Sequence, residues 1–274
     1  MDIVRRIAEG RDAEIFAPDD GCVLRLLREP ATQEMADREA AAMTAVRSVI
    51  PNVPAVVRTV RVAGRPGIVM DFIEGIDLMK RLGTHPWSLF SVAHITGEVH
   101  ARINSVAAPV SLPRTRDYLR RRIESIDQVS GKLTAAVLFE LENLPDGGAL
   151  CHGDFQVGNI IMLGKREPVV IDWANATCGD ADADFARTSV MMVAGALPPG
   201  TPWLIRYGSR AGRGAFGQAY RRAYQGLRRS DVTTLRRWEL VRAFDRLADN
   251  IPEERSRLLR IVKSRMSDRV SRAL

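Results

Sequence analysis

A chain of 274 residues with 46% hydrophobic and 27% charged side chains can bury a sizeable core, which excludes a disordered or fibrous protein. Its three cysteines, Cys22, Cys151 and Cys178, have no metal-ligand spacing, which excludes a disulfide scaffold and points to a reducing compartment. The net charge of +7 is lopsided: from Thr201 onward 18 Lys/Arg face 7 Asp/Glu, a net of +11 that leaves −4 for the rest.

Such an asymmetry can mark a nucleic-acid binder. Here the arginines alternate with apolar residues at helical spacing, as in "YRRAYQGLRRSDVTTLRRWELVRAFDRL", so they are expected on the solvated faces of amphipathic helices. No zinc-finger, RNP or basic-zipper pattern accompanies them, and nucleic acid is not expected as a partner. The opening "MDIVRRIAEG" lacks an apolar signal core, and no run approaches the roughly 18 apolar residues of a membrane span. A cytoplasmic protein without membrane contact is expected.

In chain order, "VLRLLRE" (23–29), "AVVRTVRV" (55–62) and "PGIVMDFI" (66–73) read as strands, the last two joined by the turn "AGRPG". Between the first two lies "TQEMADREAAAMTAVRSV". Thr32 is its predicted N-cap, Met35, Ala42, Met43 and Val46 its periodic apolar positions, and Pro51 and Pro54 follow it. After Gly75 the pattern turns helical: 88–106, 116–126 and 132–144, then 183–194, 214–227, 231–250 and 252–274. The expected class is α+β, with a small antiparallel-sheet lobe carrying one helix at 1–73 and a larger, mainly helical lobe at 74–274.

One stretch interrupts the helices: "CHGDFQVGNIIMLGKREPVVIDW", residues 151–173. Its apolar runs predict a short hairpin, which brings Asn159 and Asp172 side by side with Asp154 on the loop before it. Gly153 lets that loop turn tightly. Asp carboxylate and Asn carbonyl oxygens suit Mg²⁺, which takes a few protein oxygens plus substrate phosphates. A carboxylate held off the metal can deprotonate or orient an attacking hydroxyl.

"HGDFQVGN" followed by "VVIDW" resembles the HGDxxxxN and ID motifs of the aminoglycoside phosphotransferase/choline kinase-like family, and "GDADADFAR" (179–187) resembles its GDPxxDLA stretch. The specific motifs occupy residues 150–187, while the resemblance in element order spans most of the chain. It implies a bilobal protein-kinase-like fold and an ATP- and Mg²⁺-dependent phosphotransferase acting on a hydroxyl of a small molecule, antibiotic or metabolite. It further implies Asp154 as catalytic base or hydroxyl-orienting residue, Asn159 and Asp172 as metal ligands, and His152 and Asp184 as supports of the catalytic loop. Arg25 stands where the family has a phosphate-contacting lysine, with Glu39 as its partner, and Arg28 and Glu34 are the substitutes if the register differs. Gly10 would lie in a phosphate-covering loop or an ordinary hairpin turn, and the backbone of Asp71 and Ile73 would form the adenine hinge. A protein-directed kinase lacks support, because no Ala-Pro-Glu segment follows Asp172. A non-catalytic pseudokinase is disfavoured by the full polar trio. The basic C-terminal part favours a neutral or anionic acceptor over a polycationic aminoglycoside, despite the acidic patch at Asp180, Asp182 and Asp184. Trp203, Tyr207 and Trp238 are candidate apolar walls for it.

Overall fold

The computed structural model describes the chain apart from residues 1–4, 11, 18–20, 165–167, 196–202 and 274, and apart from the side chains of 203–211 and 268–273. In order come β1 (Arg5–Glu9), β2 (Ala13–Ala17), β3 (Cys22–Leu27), α1 (Gln33–Arg47), β4 (Val56–Val62), β5 (Arg65–Asp71), β6 (Ile76–Asp77) and α2 (Leu78–Thr84). Then follow α3 (Leu89–Asn104), α4 (Thr115–Glu124), α5 (Gly131–Glu142), β7 (Ala149–Cys151), β8 (Ile160–Met162), β9 (Val169–Val170) and β10 (Thr177–Gly179). Helices α6 (Ala181–Ala194), α7 (Trp203–Leu227), α8 (Val232–Asp245) and α9 (Pro252–Ala273) complete it. These elements form two compact units. The first is Met1–Lys80 with Gly158–Ala176, and the second is Arg81–Val157 with Thr177–Leu274. Sequence order puts the hairpin beyond residue 73; by its contacts, the hairpin belongs with the first unit.

In the first unit, five antiparallel strands run in the order β1-β2-β3-β5-β4. The period-2 alternation of β3 sorts its side chains: Leu24 and Leu26 join Val69 in a buried cluster with Phe16, Val60 and Val62, while Arg25 points to the other face. Helix α1 starts as predicted, the Thr32 hydroxyl accepting from Met35 N at 3.3 Å. Its buried stripe is Ala36, Glu39, Ala40, Met43 and Val46. Met35 falls one position outside that stripe and is 51% exposed, and Ala42 is only partly covered, which corrects the predicted face. The second sheet of this unit, β6-β8-β9, is short and antiparallel.

The second unit is helical around one core that includes Leu119, Ile123, Val137, Leu141, Phe185, Tyr224, Trp238, Val241 and Phe244. Gly97 lets α3 approach α7 so closely that a Cβ there would lie 2.5 Å from the Tyr220 carbonyl oxygen. Helix α7 begins at Trp203, not at Gly214. It runs as helix through "SRAGRG", whose intrinsic propensity is poor. Trp238, offered as an acceptor wall, is instead core, 1% exposed, with its indole N–H donating to Asp180 Oδ2 at 3.0 Å. The side chains of Trp203 and Tyr207 lie outside the described residues. Among the described residues no helix is long and apolar enough to cross a membrane.

Candidate functional site

The hairpin in the first unit is only a few residues long, yet its register is definite. Ile160 pairs with Val170, and the Ile171 amide donates to the Asn159 carbonyl at 3.0 Å. Asn159 and Asp172 therefore share one end of the hairpin. Asp172 has φ +66°, a left-handed conformation unusual for a non-glycine residue and worth about 1–3 kcal/mol of strain. Such strain persists where the direction of a side chain is over-determined, and the partner of Asp172 shows how. Arg25 on β3 places a terminal nitrogen 3.2 Å from Asp172 Oδ1 and its Nε 2.9 Å from Glu39 Oε1 on α1. The first contact is a hydrogen bond. The second is an ion contact outside hydrogen-bonding geometry, so Arg25 Nε and Glu39 Oε1 are buried without an aligned partner.

Burial pushes the Glu39 carboxyl up to about 7, with Arg25 opposing and the charge of Asp172 adding to the rise. Burial works against the Arg25 charge, but Asp172 and Glu39 together hold its pKa above the ordinary value. Arg28 and Glu34 do not meet: Arg28 reaches Glu9, Glu14 and the Gly10 carbonyl, and Glu34 pairs with Arg38. Gly10 sits in the turn between β1 and β2, its amide donating to Ala13 O at 2.8 Å. Asp71 spends its amide on Ala55 O and its carboxylate on Ala55 N. Ile73 follows β5, half-buried.

In the second unit, Gly153 takes φ +80° just after β7 and turns the loop that carries Asp154. Four donors converge on the fully buried Asp184: His152 N at 2.7 Å, Gly153 N at 2.8 Å, His100 Nε2 at 2.9 Å and Asn104 Nδ2 at 3.0 Å. Burial alone would raise this carboxyl, but the His100 imidazole and these hydrogen bonds hold it well below the usual carboxylate range. Tyr224 in turn donates to Asn104 Oδ1, the Tyr220 hydroxyl lies 2.7 Å from His100 Nδ1, and Phe155 stacks on the His100 ring. The backbone at His152 and Gly153 is thus pinned to Asp184 on α6, which His100 and Asn104 tie to α3.

Asp154 itself is partly exposed, at 22% of its side chain, with Oδ1 4.0 Å from the Arg187 guanidinium. Arg187 is held by Asp245 at 3.3 Å and Asp249 at 3.1 Å. Burial opposes ionisation of Asp249, yet Arg187, Arg122 and Arg246 lower its pKa to about 2.

His100, Asn104, Tyr224 and Arg187 were not singled out from sequence. Arg187 had a local signal, three residues beyond Asp184 on the same helix. The others lie 40 to 84 residues from Asp184 and had none. The acidic patch also dissolves: Asp180 caps α6 and receives the Trp238 indole, Asp182 accepts from Ser230, and Asp184 is interior. Cys151 is buried, and burial pushes its thiol far up, so it stays a protonated core group and not a nucleophile.

Comparison with known proteins decides what kind of enzyme carries these residues. The model of the phosphotransferase enzyme family matches residues 3–230. The chain belongs to this family. It is a phosphotransferase with a hydroxyl group as acceptor. No curated protein matches it. Solved structures with the same protein-kinase-like fold include the aminoglycoside phosphotransferase APH(4)-Ia (19% identity, 96% of this chain and 91% of that one, TM-score 0.62). They also include APH(2'')-IIa in a ternary complex with streptomycin and ATP (17%, 96% and 90%, TM-score 0.55) and the choline kinase LicA from Streptococcus pneumoniae (12%, 95% and 92%, TM-score 0.62). The protein-kinase-like α+β fold expected from the sequence is the fold these neighbours share.

Proposed function

We propose that the protein is an ATP- and Mg²⁺-dependent kinase of a hydroxylated small molecule. The observation that carries the proposal is the pairing of Asp172 with a cation, Arg25, at the mouth of the Asn159–Asp172 hairpin, within a chain of the phosphotransferase family. Related folds have been seen with ADP and hygromycin B in APH(4)-Ia, which supports a nucleotide here.

In this reading the first unit supplies the nucleotide half of the reaction. Arg25, steadied by Glu39, meets phosphate oxygens, with the turn at Gly10 over them and the backbone at Asp71 and Ile73 as the adenine hinge. Among the described residues no three His, Cys, Asp or Glu side chains gather as a metal-binding group. Mg²⁺ does not need one: Asp172 and Asn159 offer two hard oxygens, and substrate phosphates and water complete its shell. When bound, the metal would neutralise charge on the phosphates.

The second unit supplies the acceptor half. Asp154 receives the proton of the acceptor hydroxyl as that oxygen bonds to the γ-phosphorus and the bond to the β-phosphate oxygen breaks, releasing ADP. Asp184 and His152 hold the loop, and Arg187 faces Asp154 at 4.0 Å.

The surplus of arginine after Thr201 favours a neutral or anionic acceptor, although one of those arginines, Arg237, is neutralised by Glu140 from outside the segment. A screen of hydroxyl compounds with labelled ATP tests the reading, and turnover of polycationic aminoglycosides alone would refute the charge argument. Asp172→Ala is expected to abolish the magnesium dependence of nucleotide affinity in a titration, and an unchanged affinity removes Asp172 from the metal.

A further inference from the structure

The position of Arg25 differs from the family pattern in one respect with mechanistic weight. A lysine ends in a single ammonium, whereas the guanidinium is a planar fork that can hold two carboxylates at once. Arg25 does so, with Nε toward Glu39 and a terminal nitrogen hydrogen-bonded to Asp172 Oδ1. We propose that Arg25 is the resident counter-cation of Asp172 and competes there with the divalent metal, so that the metal binds weakly until nucleotide phosphates draw the guanidinium away. This rests on the reading of Asp172 as the metal carboxylate.

Three observations carry it. The guanidinium and a metal at Asp172 Oδ1 would be like charges in contact, a repulsion that partial burial makes stronger than in water. Arg25 has a side-chain exposure of only 16%, so it cannot simply swing into bulk solvent to make room. The bridged arrangement is also not the one that satisfies the residues best, because Arg25 Nε and Glu39 Oε1 are left without aligned hydrogen bonds. Phosphate oxygens offer the fork a planar, bidentate alternative. The exchange would couple the two ligands: whatever removes Arg25 from Asp172 raises metal affinity, and the metal reciprocally favours the nucleotide.

The test measures Mn²⁺ binding to the full chain by electron paramagnetic resonance, with and without ADP, in the wild type, Arg25→Gln, Arg25→Lys and Asp172→Asn. Without ADP, Arg25→Gln is expected to bind Mn²⁺ about tenfold more tightly than the wild type, the scale of one charge-assisted hydrogen bond. With ADP that advantage is expected to vanish or reverse. Arg25→Lys, which keeps the charge near Glu39 but loses the fork, is expected between the two, and it decides the matter if thermal melting shows that Arg25→Gln is unfolded. Equal or weaker Mn²⁺ binding in the Arg25 variants overturns the proposal. So does a tightening of the same size with and without ADP, which would be a general field effect with no exchange. Asp172→Asn separates the two readings: if it binds Mn²⁺ like the wild type, the metal assignment of Asp172 has itself failed.

Discussion

Asp154→Ala is expected to lose phosphoryl transfer by about a thousandfold or more, the middle of the range for a general base, while nucleotide affinity stays close to wild type. The structure makes this a clean substitution. Asp154 is partly exposed, and among its contacts those to Arg187 at 4.0 Å and to the Gln156 amide at 3.4 Å are long. Arg187 keeps Asp245 and Asp249 when Asp154 is gone, so no buried charge is orphaned and the fold has no reason to fail. Asp154→Asn preserves shape and removes basicity, and should lose nearly as much turnover. Single-turnover kinetics beside an ADP titration read the two quantities separately. A loss of nucleotide binding together with turnover would make Asp154 a metal or structural residue.

The legible parts of this chain were those governed by local rules. Thr32 caps α1 because a side-chain oxygen before an Ala-rich run has a nearby amide to accept from, and the apolar runs around the "AGRPG" turn pair as β4 and β5 because the turn enforces their register. Asn159 and Asp172 could be placed at one hairpin end for the same reason. What escaped reading was decided by tertiary contact. Strand β1, "RRIAE", is exposed along its whole length and has no period-2 pattern to read; it is a strand because β2 pairs with it. Helix α2 is a short segment without a strong periodic signal. The triad Asp180, Asp182 and Asp184 looks like one acidic patch in sequence, but helix geometry gives each residue a different neighbour. A charge total is blind to the same thing: Arg237 in the basic segment points at Glu140 outside it, which the net charge of the segment alone does not register.

Asp184→Asn is expected to cost about 3–5 kcal/mol of stability, the range for breaking a buried charged network by removing one member. That corresponds to about 6–20 °C in melting temperature for a domain of this size. The chemistry is specific. An ionised carboxylate only accepts, and Asp184 takes four donors on two oxygens, Gly153 N on Oδ1 and the other three on Oδ2. Asparagine replaces one oxygen with an NH₂, which would face a donor with another donor. The pH dependence carries a sign that packing loss alone would not give. Because the folded-state pKa of Asp184 lies below its unfolded value, the carboxylate contributes stability that is fully present above the unfolded pKa and is lost as pH falls toward the folded one. The gap in melting temperature between wild type and Asp184→Asn should therefore be largest near neutrality and narrow below about pH 4. Turnover should fall as well, since His152 N and Gly153 N lose the group that fixes the loop before Asp154. A gap that does not change between pH 7 and pH 3 would mean that Asp184 acts through shape and not through its charge.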